Sequence, residues 1–429
     1  VWISNQVGNN GLFMGELRVK DTKAYQFNPD VEAFIPENAT TPSTYNLAVI
    51  DHNFKFPQLW RTNLAIDKSL PFNLVATLEG VYSKTLNNVM YINANHELSS
   101  GNFSVGGDTR PFMPGINAGS SQSKLNNIND QITENIVLIN SDQGASYSIT
   151  AKLERQFSKG LYLMLGYNYG QAKDLITPGS IASSSWSDNK SINNNNNPGL
   201  SYSDFDQLHR LIAAASYRFE YAKFMASQLS LFFQTGNQGR YSFYYNGDLN
   251  GDGNSNNDLL YVPKDANDIK FKDVTDKDGN VLQTAAEQAT AFMTFVEGNK
   301  YLNDLKGQYT ERNGAILPWL STIDLAFQQE FGLKIKGRRH AIQIRADFYN
   351  FGNLLSSSAG VGNQVNLANP LKVAGYDKDA NGNYTNPVYN FSKSAKDSEG
   401  KSIYATEAFG KRAGLDDVWQ AQLGIRYIF

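Results

Sequence analysis

The last eleven residues alternate without interruption, with Trp419, Ala421, Leu423, Ile425, Tyr427 and Phe429 on one face and Gln420, Gln422, Gly424, Arg426 and Ile428 on the other. A period of two predicts a strand with one apolar and one polar side. The pattern recurs upstream. Leu161, Leu163, Leu165, Tyr167 and Tyr169 oppose Tyr162, Met164, Gly166, Asn168 and Gly170, and Ile342, Ile344, Ala346 and Phe348 oppose Gln343, Arg345, Asp347 and Tyr349. Read this way, the chain contains nine strands, at 59–66, 72–93, 132–157, 161–172, 208–219, 227–245, 320–332, 340–351 and 418–429.

The connections fall into two classes that alternate. Short ones lie at 67–71, 158–160, 220–226 and 333–339, and long ones at 94–131, 173–207, 246–319 and 352–417. Tight turns at one end and long loops at the other, with an aromatic residue closing the final strand, are the signature of a transmembrane antiparallel β-barrel. Several strands exceed the roughly 10 residues that cross a bilayer and are expected to project beyond it. Residues 1–57 read as an extracellular loop region with at most one strand, for which Phe13, Leu17 and Val19 are the candidates. Residues 58–429 read as barrel strands joined by long extracellular loops. Nine is odd, whereas single-chain bacterial barrels are even-stranded, so the chain is expected to be the C-terminal part of a larger barrel.

Composition agrees with this class. Twenty-three Tyr, 25 Phe and 5 Trp suit aromatic girdles, and 35 Gly suit the turns. No apolar run approaches the roughly 18 residues of a membrane helix, and the mean hydropathy of -0.43 fits a wall whose inner side is wet. The absence of cysteine excludes disulfides and thiolate chemistry. With 38 basic against 41 acidic residues, nucleic acid is not an expected partner. No export signal opens the sequence at Val1, so one would be already removed or upstream.

The loops carry the candidate chemistry. Asp248, Asn250, Asp252 and Gly253 match the opening of a calcium loop, in which alternate oxygen side chains converge on a hard cation. The closing glutamate is missing: Leu259 stands at position twelve and Asp258 one residue earlier. The expected ligands are Asp248, Asn250, Asp252, Asn254 and Asp258, with a turn that binds nothing as the alternative. Asp377, Asp379, Asn381 and Gly382 form a poorer match, and Asp276 to Asn280 a plain turn. Residues 284–297 predict a helix packing its loop on the barrel rim, with Ala286, Ala289, Phe292, Met293 and Val296 on one stripe and a docking surface for a partner lid as the alternative. The five asparagines 193–197 read as a solvated tract. Of the four histidines, His96 beside Glu97 is the one candidate base, and His209 reads as a loop anchor. No nucleophile or zinc motif is present, and no catalytic residue is expected.

Seven segments in order resemble the C-terminal region of TonB-dependent outer-membrane transporters of the Bacteroidota, especially the Oar-like group related to SusC. They are LWRTNLAIDKSLP (59–71), LEGVYSK (78–84), SDFDQLHR (203–210), YSFYYNGDLNGDGNSNNDLLYVP (241–263), ERNGAILPW (311–319), RADFYNFGNLL (345–355) and the closing strand. The resemblance implies a 22-stranded barrel filled by an N-terminal plug, energised by TonB through an upstream region and importing a bulky nutrient. Neither plug nor TonB-contacting segment is visible in this sequence. A surface lipoprotein lid is a further possible partner. Substrate contacts are expected from Trp186, Tyr202, Tyr241, Tyr244 and Tyr245 in the loops. Two other readings stay open: a barrel serving adhesion or a secretion or gliding complex, and a small barrel hydrolase using His96.

Overall fold

The computed structural model describes residues 27–30, 32–34, 44–97, 99–104, 106–117, 125–179, 181–336, 338–382 and 384–429. Its framework is one large sheet built from β1 (Tyr45–Ile50), β2 (Gln58–Leu70), β3 (Leu74–Asn93), β4 (Ile132–Ser141), β5 (Ala145–Gln156), β6 (Leu161–Asp174), β7 (His209–Tyr221), β8 (Met225–Asn237), β9 (Trp319–Ile335), β10 (Arg338–Tyr349) and β11 (Gln420–Ile428). From β2 to β11 the long strands run antiparallel, each against its neighbour in sequence, with β4 and β5 sharing one side of β3. β1 pairs parallel with β4. Among the described residues the sheet is open, with β2 and β11 each paired on one side only.

The strands follow the alternation. Two expected strands differ: 227–245 ends at Asn237, beyond which Arg240–Tyr241 pairs with Ala315–Ile316 in the loops, and 132–157 is divided into β4 and β5 at residues 142–144. Gly144 there takes φ +126, and its carbonyl accepts from Thr85 N at 3.1 Å, so the ladder to β3 resumes past a local kink. The turn expected at 67–71 lies later, at Pro71–Asn73, with Phe72 and Asn73 at positive φ. The candidates Phe13, Leu17 and Val19 lie outside the described residues.

Register sorts the side chains into two faces. On one, Arg218, Gln228, Gln328, Arg345 and Gly424 stand in a row across five strands. Charges there are paired: Arg345 with Asp347 at 2.7 Å, and Glu330 with Arg339 and Arg218. The other face is apolar and open, with Leu64 71% and Ile425 74% exposed. Near the long-loop end it carries aromatic contacts, Trp60 to Tyr82 (6.1 Å), Tyr147 to Tyr169 (6.0 Å), Tyr169 to His209 (5.1 Å) and His209 to Trp319 (5.7 Å). His209, read as a loop anchor, thus belongs to this aromatic row, its Nδ1 2.7 Å from the Tyr167 hydroxyl.

The long connections fold onto one another. Phe103 and Ile116 share a core with Phe243, Tyr245, Leu249 and Leu260, with Phe292 and Phe295, and with Leu371 and Phe391. A second core joins the upper ends of β3 and β4 to Leu175, Ile176 and Trp186. The expected helix is α2 (Ala285–Gly298), following α1 (Ala182–Ser187). Thr284 caps α2 by accepting from Glu287 N. Its buried stripe is Gln288, Phe292, Phe295 and Val296, packed on the Tyr384–Phe391 strand within the loops; Ala286 is exposed. Helix α2 therefore belongs to the loop core, which corrects the rim packing read from sequence.

The short turns are sterically exact. Gly160 has φ +81, and a Cβ there would lie 2.0 Å from the Arg218 carbonyl oxygen. Gly160→Ala is expected to destabilise the sheet by more than about 1 kcal/mol, read as a lower urea midpoint of tryptophan fluorescence in lipid vesicles. Gly424→Ala, at an open position, should leave the midpoint unchanged.

Candidate functional site

The loop at 246–263 occupies the centre of the folded connections. Asp248 fixes its turn: Oδ1 accepts from Gly251 N (2.7 Å) and Asp252 N (3.1 Å), and Oδ2 from Gly253 N (2.7 Å). Asn250 Oδ1 accepts from Asp252 N, Asp252 Oδ1 from Asn254 N, and Asp252 Oδ2 from Asn257 Nδ2. Asp258 Oδ2 accepts from Leu249 N at 2.9 Å. The alternating Asp/Asn pattern thus organises the backbone by side-chain to main-chain bonds. Among the described residues no three acidic or histidine groups converge as metal ligands.

Three carboxyls are nonetheless crowded in a dry place. Burial, then the charges of Asp252 and Asp258, push Asp248 up to about 9. Burial and Asp252 push Asp258 up to about 7 against the pull of Arg110, and burial also raises Asp252. The compensating cation is Arg110, itself fully buried. Its Nε donates to both oxygens of Asp108 at 3.1 Å, Nη2 donates to the Leu259 carbonyl at 2.6 Å, and Nη1 stands 3.6 Å from Asp258 Oδ1. The guanidinium lies 5.1 Å and 5.3 Å from the rings of Tyr245 and Tyr309. Sequence reading missed Arg110, whose only signal is the short Asp108-Thr109-Arg110 segment in a polar loop.

His96 bridges the same two loops. Its Nε2 lies 3.0 Å from the carbonyl oxygen of Asp252 and its Nδ1 3.0 Å from that of Glu97, while its ring packs edge-on against Trp186 at 5.6 Å. Both nitrogens meet main chain, and neither is directed at the Glu97 carboxylate. The asparagine tract is likewise built in, which corrects its reading as a solvated run. Asn195 is buried and donates to Trp186 O and Ser187 O, and Asn196 Oδ1 accepts from Trp186 Nε1 at 2.8 Å.

The five aromatic residues expected at a substrate site fall into three groups. Trp186 and Tyr245 are 3% and 1% exposed; Tyr245 stacks on Tyr389 at 5.1 Å. Tyr202 sits beneath the guanidinium of Arg240 at 3.7 Å. Tyr241 and Tyr244 line a cavity of about 440 Å³, with Lys190, Arg312, Asn313 and Asp204 also on its wall. That volume lies within the range of small-molecule sites, roughly 300–1,000 Å³. The second calcium candidate is occupied otherwise, since Asp377 pairs with Lys270 at 2.8 Å. Asp276 accepts from Asp278 N and Asn280 N in a hairpin turn.

A family model described as "Outer membrane beta barrel domain" matches residues 4–373. No curated protein and no solved structure matches the chain.

Removing Arg110 would leave Asp108 and Asp258 buried and uncompensated. Arg110→Met is expected to destabilise the loop assembly by about 3–5 kcal/mol. Amide exchange should accelerate across 246–263 while the strands of the sheet keep their protection.

Proposed function

Because this chain belongs to the outer membrane β-barrel family and lies in the outer membrane as a multi-pass barrel wall, we propose that it imports a bulky nutrient with energy supplied through TonB. The carrying observation is the folding of the long connections into one body with its own core and a polar cavity, set at the loop end of a sheet whose other face is charged and paired. Such a body has the means to select a solute before it enters a lumen. A sheet of long strands that stays open at β2 and β11 among the described residues fits a share of a wider, 22-stranded wall, wide enough to hold a plug. The resemblance to Oar-like and SusC-related transporters supplies the energy source: TonB, acting on a region upstream of these strands. A glycan or a peptide fits the mixed aromatic and polar wall, and a surface lipoprotein lid would sit on the loop body.

The test is uptake in a strain deleted for this protein, with fluorescent oligosaccharides and oligopeptides as probes. Uptake of one class should fall to the level of TonB-depleted cells. Unchanged uptake of both classes with lost surface adhesion would move the assignment to an adhesin.

Calcium is the cofactor proposed for the central loop, through Asp248, Asn250, Asp252, Asn254 and Asp258. The supporting observation is the crowding of Asp248 with the buried Asp252 and Asp258 in one loop, beside a single guanidinium that Asp108 also shares. Their folded-state affinities for protons are raised, so the folded loop holds protons that the unfolded chain releases near pH 4. The stability these groups contribute is full below about pH 4 and is lost as pH rises towards about 9. Limited proteolysis of 246–263 is expected to quicken over that interval. Added calcium should slow it at the alkaline end, and Asp248→Asn should abolish the calcium effect; cleavage indifferent to calcium would remove the cofactor.

A further inference from the structure

The wall of the cavity beside Tyr244 carries two cations, Lys190 and Arg312, and two carboxylates, Asp188 and Asp204. Burial is the main cause that lowers the Lys190 ammonium's hold on its proton; Asp188 and Asp204 oppose it, and Arg312 adds to it. Arg312 is anchored from one side: Nη2 donates to the main-chain oxygen (2.6 Å) and the carboxylate (2.5 Å) of Asp174, and Nη1 reaches Thr177 Oγ1 at 3.5 Å. Its Nε is buried and has no partner. The Lys190 ammonium stands 4.8 Å over the Tyr244 ring and makes no hydrogen bond or ion pair among the described residues.

Lys190 is held in that position by its neighbours. Asn189 is buried and donates through Nδ2 to Leu175 O, and Ser191 is buried, with its N donating to Asn257 O and its Oγ to Asn195 Oδ1. Tyr244 is fixed by its own N–H, which donates to Ala368 O at 3.0 Å. Two carboxylates also reach the cavity wall. Asp204 accepts from Asn313 Nδ2, and Asp188 accepts from Ser187 Oγ at 3.2 Å; neither forms an ion pair with Lys190. A half-buried ammonium retains three donors, and a ring face satisfies its charge but none of those donors. An acceptor-rich anion would satisfy both.

We propose that this cavity is a binding subsite for a carboxylate group of the solute, seated on the Lys190 ammonium against the Tyr244 ring with Arg312 supplying the second positive charge. This deepens the import reading and rests on it for the direction of travel, although binding itself does not. Two sources share the chemistry: the uronate of an acidic oligosaccharide and the C-terminus of a peptide. The neutral partner of either would lose the charge-assisted hydrogen bond, worth about tenfold in affinity.

The experiment is calorimetric titration of the purified full chain in detergent with two matched pairs: trigalacturonate against neutral galactotriose, and a tetrapeptide with a free against an amidated C-terminus. In one pair the carboxylate member should bind about tenfold more tightly. Lys190→Gln should abolish that preference, and Lys190→Arg should restore much of it, with Trp fluorescence certifying that both variants fold. Equal affinities within both pairs, no binding by either, or a preference that survives Lys190→Gln overturns the proposal. The pair that shows the preference identifies the source. Carboxylate preference together with normal uptake in the deletion strain would leave the subsite standing and sink the import reading instead.

Discussion

In hydrocarbon no water is available to a backbone amide, so each N–H and C=O must find its partner inside the protein or cost several kcal/mol. The large sheet is the response of this sequence to that constraint. Long strands pair with their sequence neighbours in unbroken register from β5 to β11, and at the kink before β5 the Gly144 carbonyl still accepts from Thr85 N. Everything else is arranged around the ladder. Its apolar face needs no protein cover, its polar face must pair its own charges, and its aromatic row marks the level at which lipid gives way to water.

Above that level water returns and a different constraint takes over. A loop body this size must bury polar groups, and each of them needs a partner. Asp248, Asn250 and Asp252 spend their oxygens on neighbouring amides, and Arg110 spends its charge on two carboxylates from separate loops. The aromatic residues there serve the core first: Tyr245 lies between Arg110 and Tyr389, leaving Tyr244 at the cavity.

The sheet was legible because its code is local. A residue two places along the chain shares the same face, so Leu161 to Tyr169 announce their environment without reference to anything distant. The loop body was not legible, because its contacts join positions far apart: Arg110 to Leu259, His96 to Asp252, Asn250 to Asn193. No periodicity reports such pairings. Composition misled in a physical way too, since the asparagines at 193–197 resemble a solvated tract, yet amide side chains are equally suited to capping buried carbonyls, as Asn195 does for Trp186. Lys190 gave no signal at all, because its environment is assembled from Tyr244 and Arg312, which lie in other segments.

The shared loop core also limits how such a surface can change over time. Outer loops are the parts that phages and antibodies meet, and in a barrel with independent loops each could vary alone. Here Phe103, Phe243, Phe292 and Phe391 come from different stretches of chain and fill one volume, so a substitution in one loop alters the fit of the others. Neighbouring changes of this kind are non-additive. Escape variants of this protein would therefore arise as coordinated sets spread over several loops, and grafting a single loop from a relative would carry a mismatch in packing along with its new epitope.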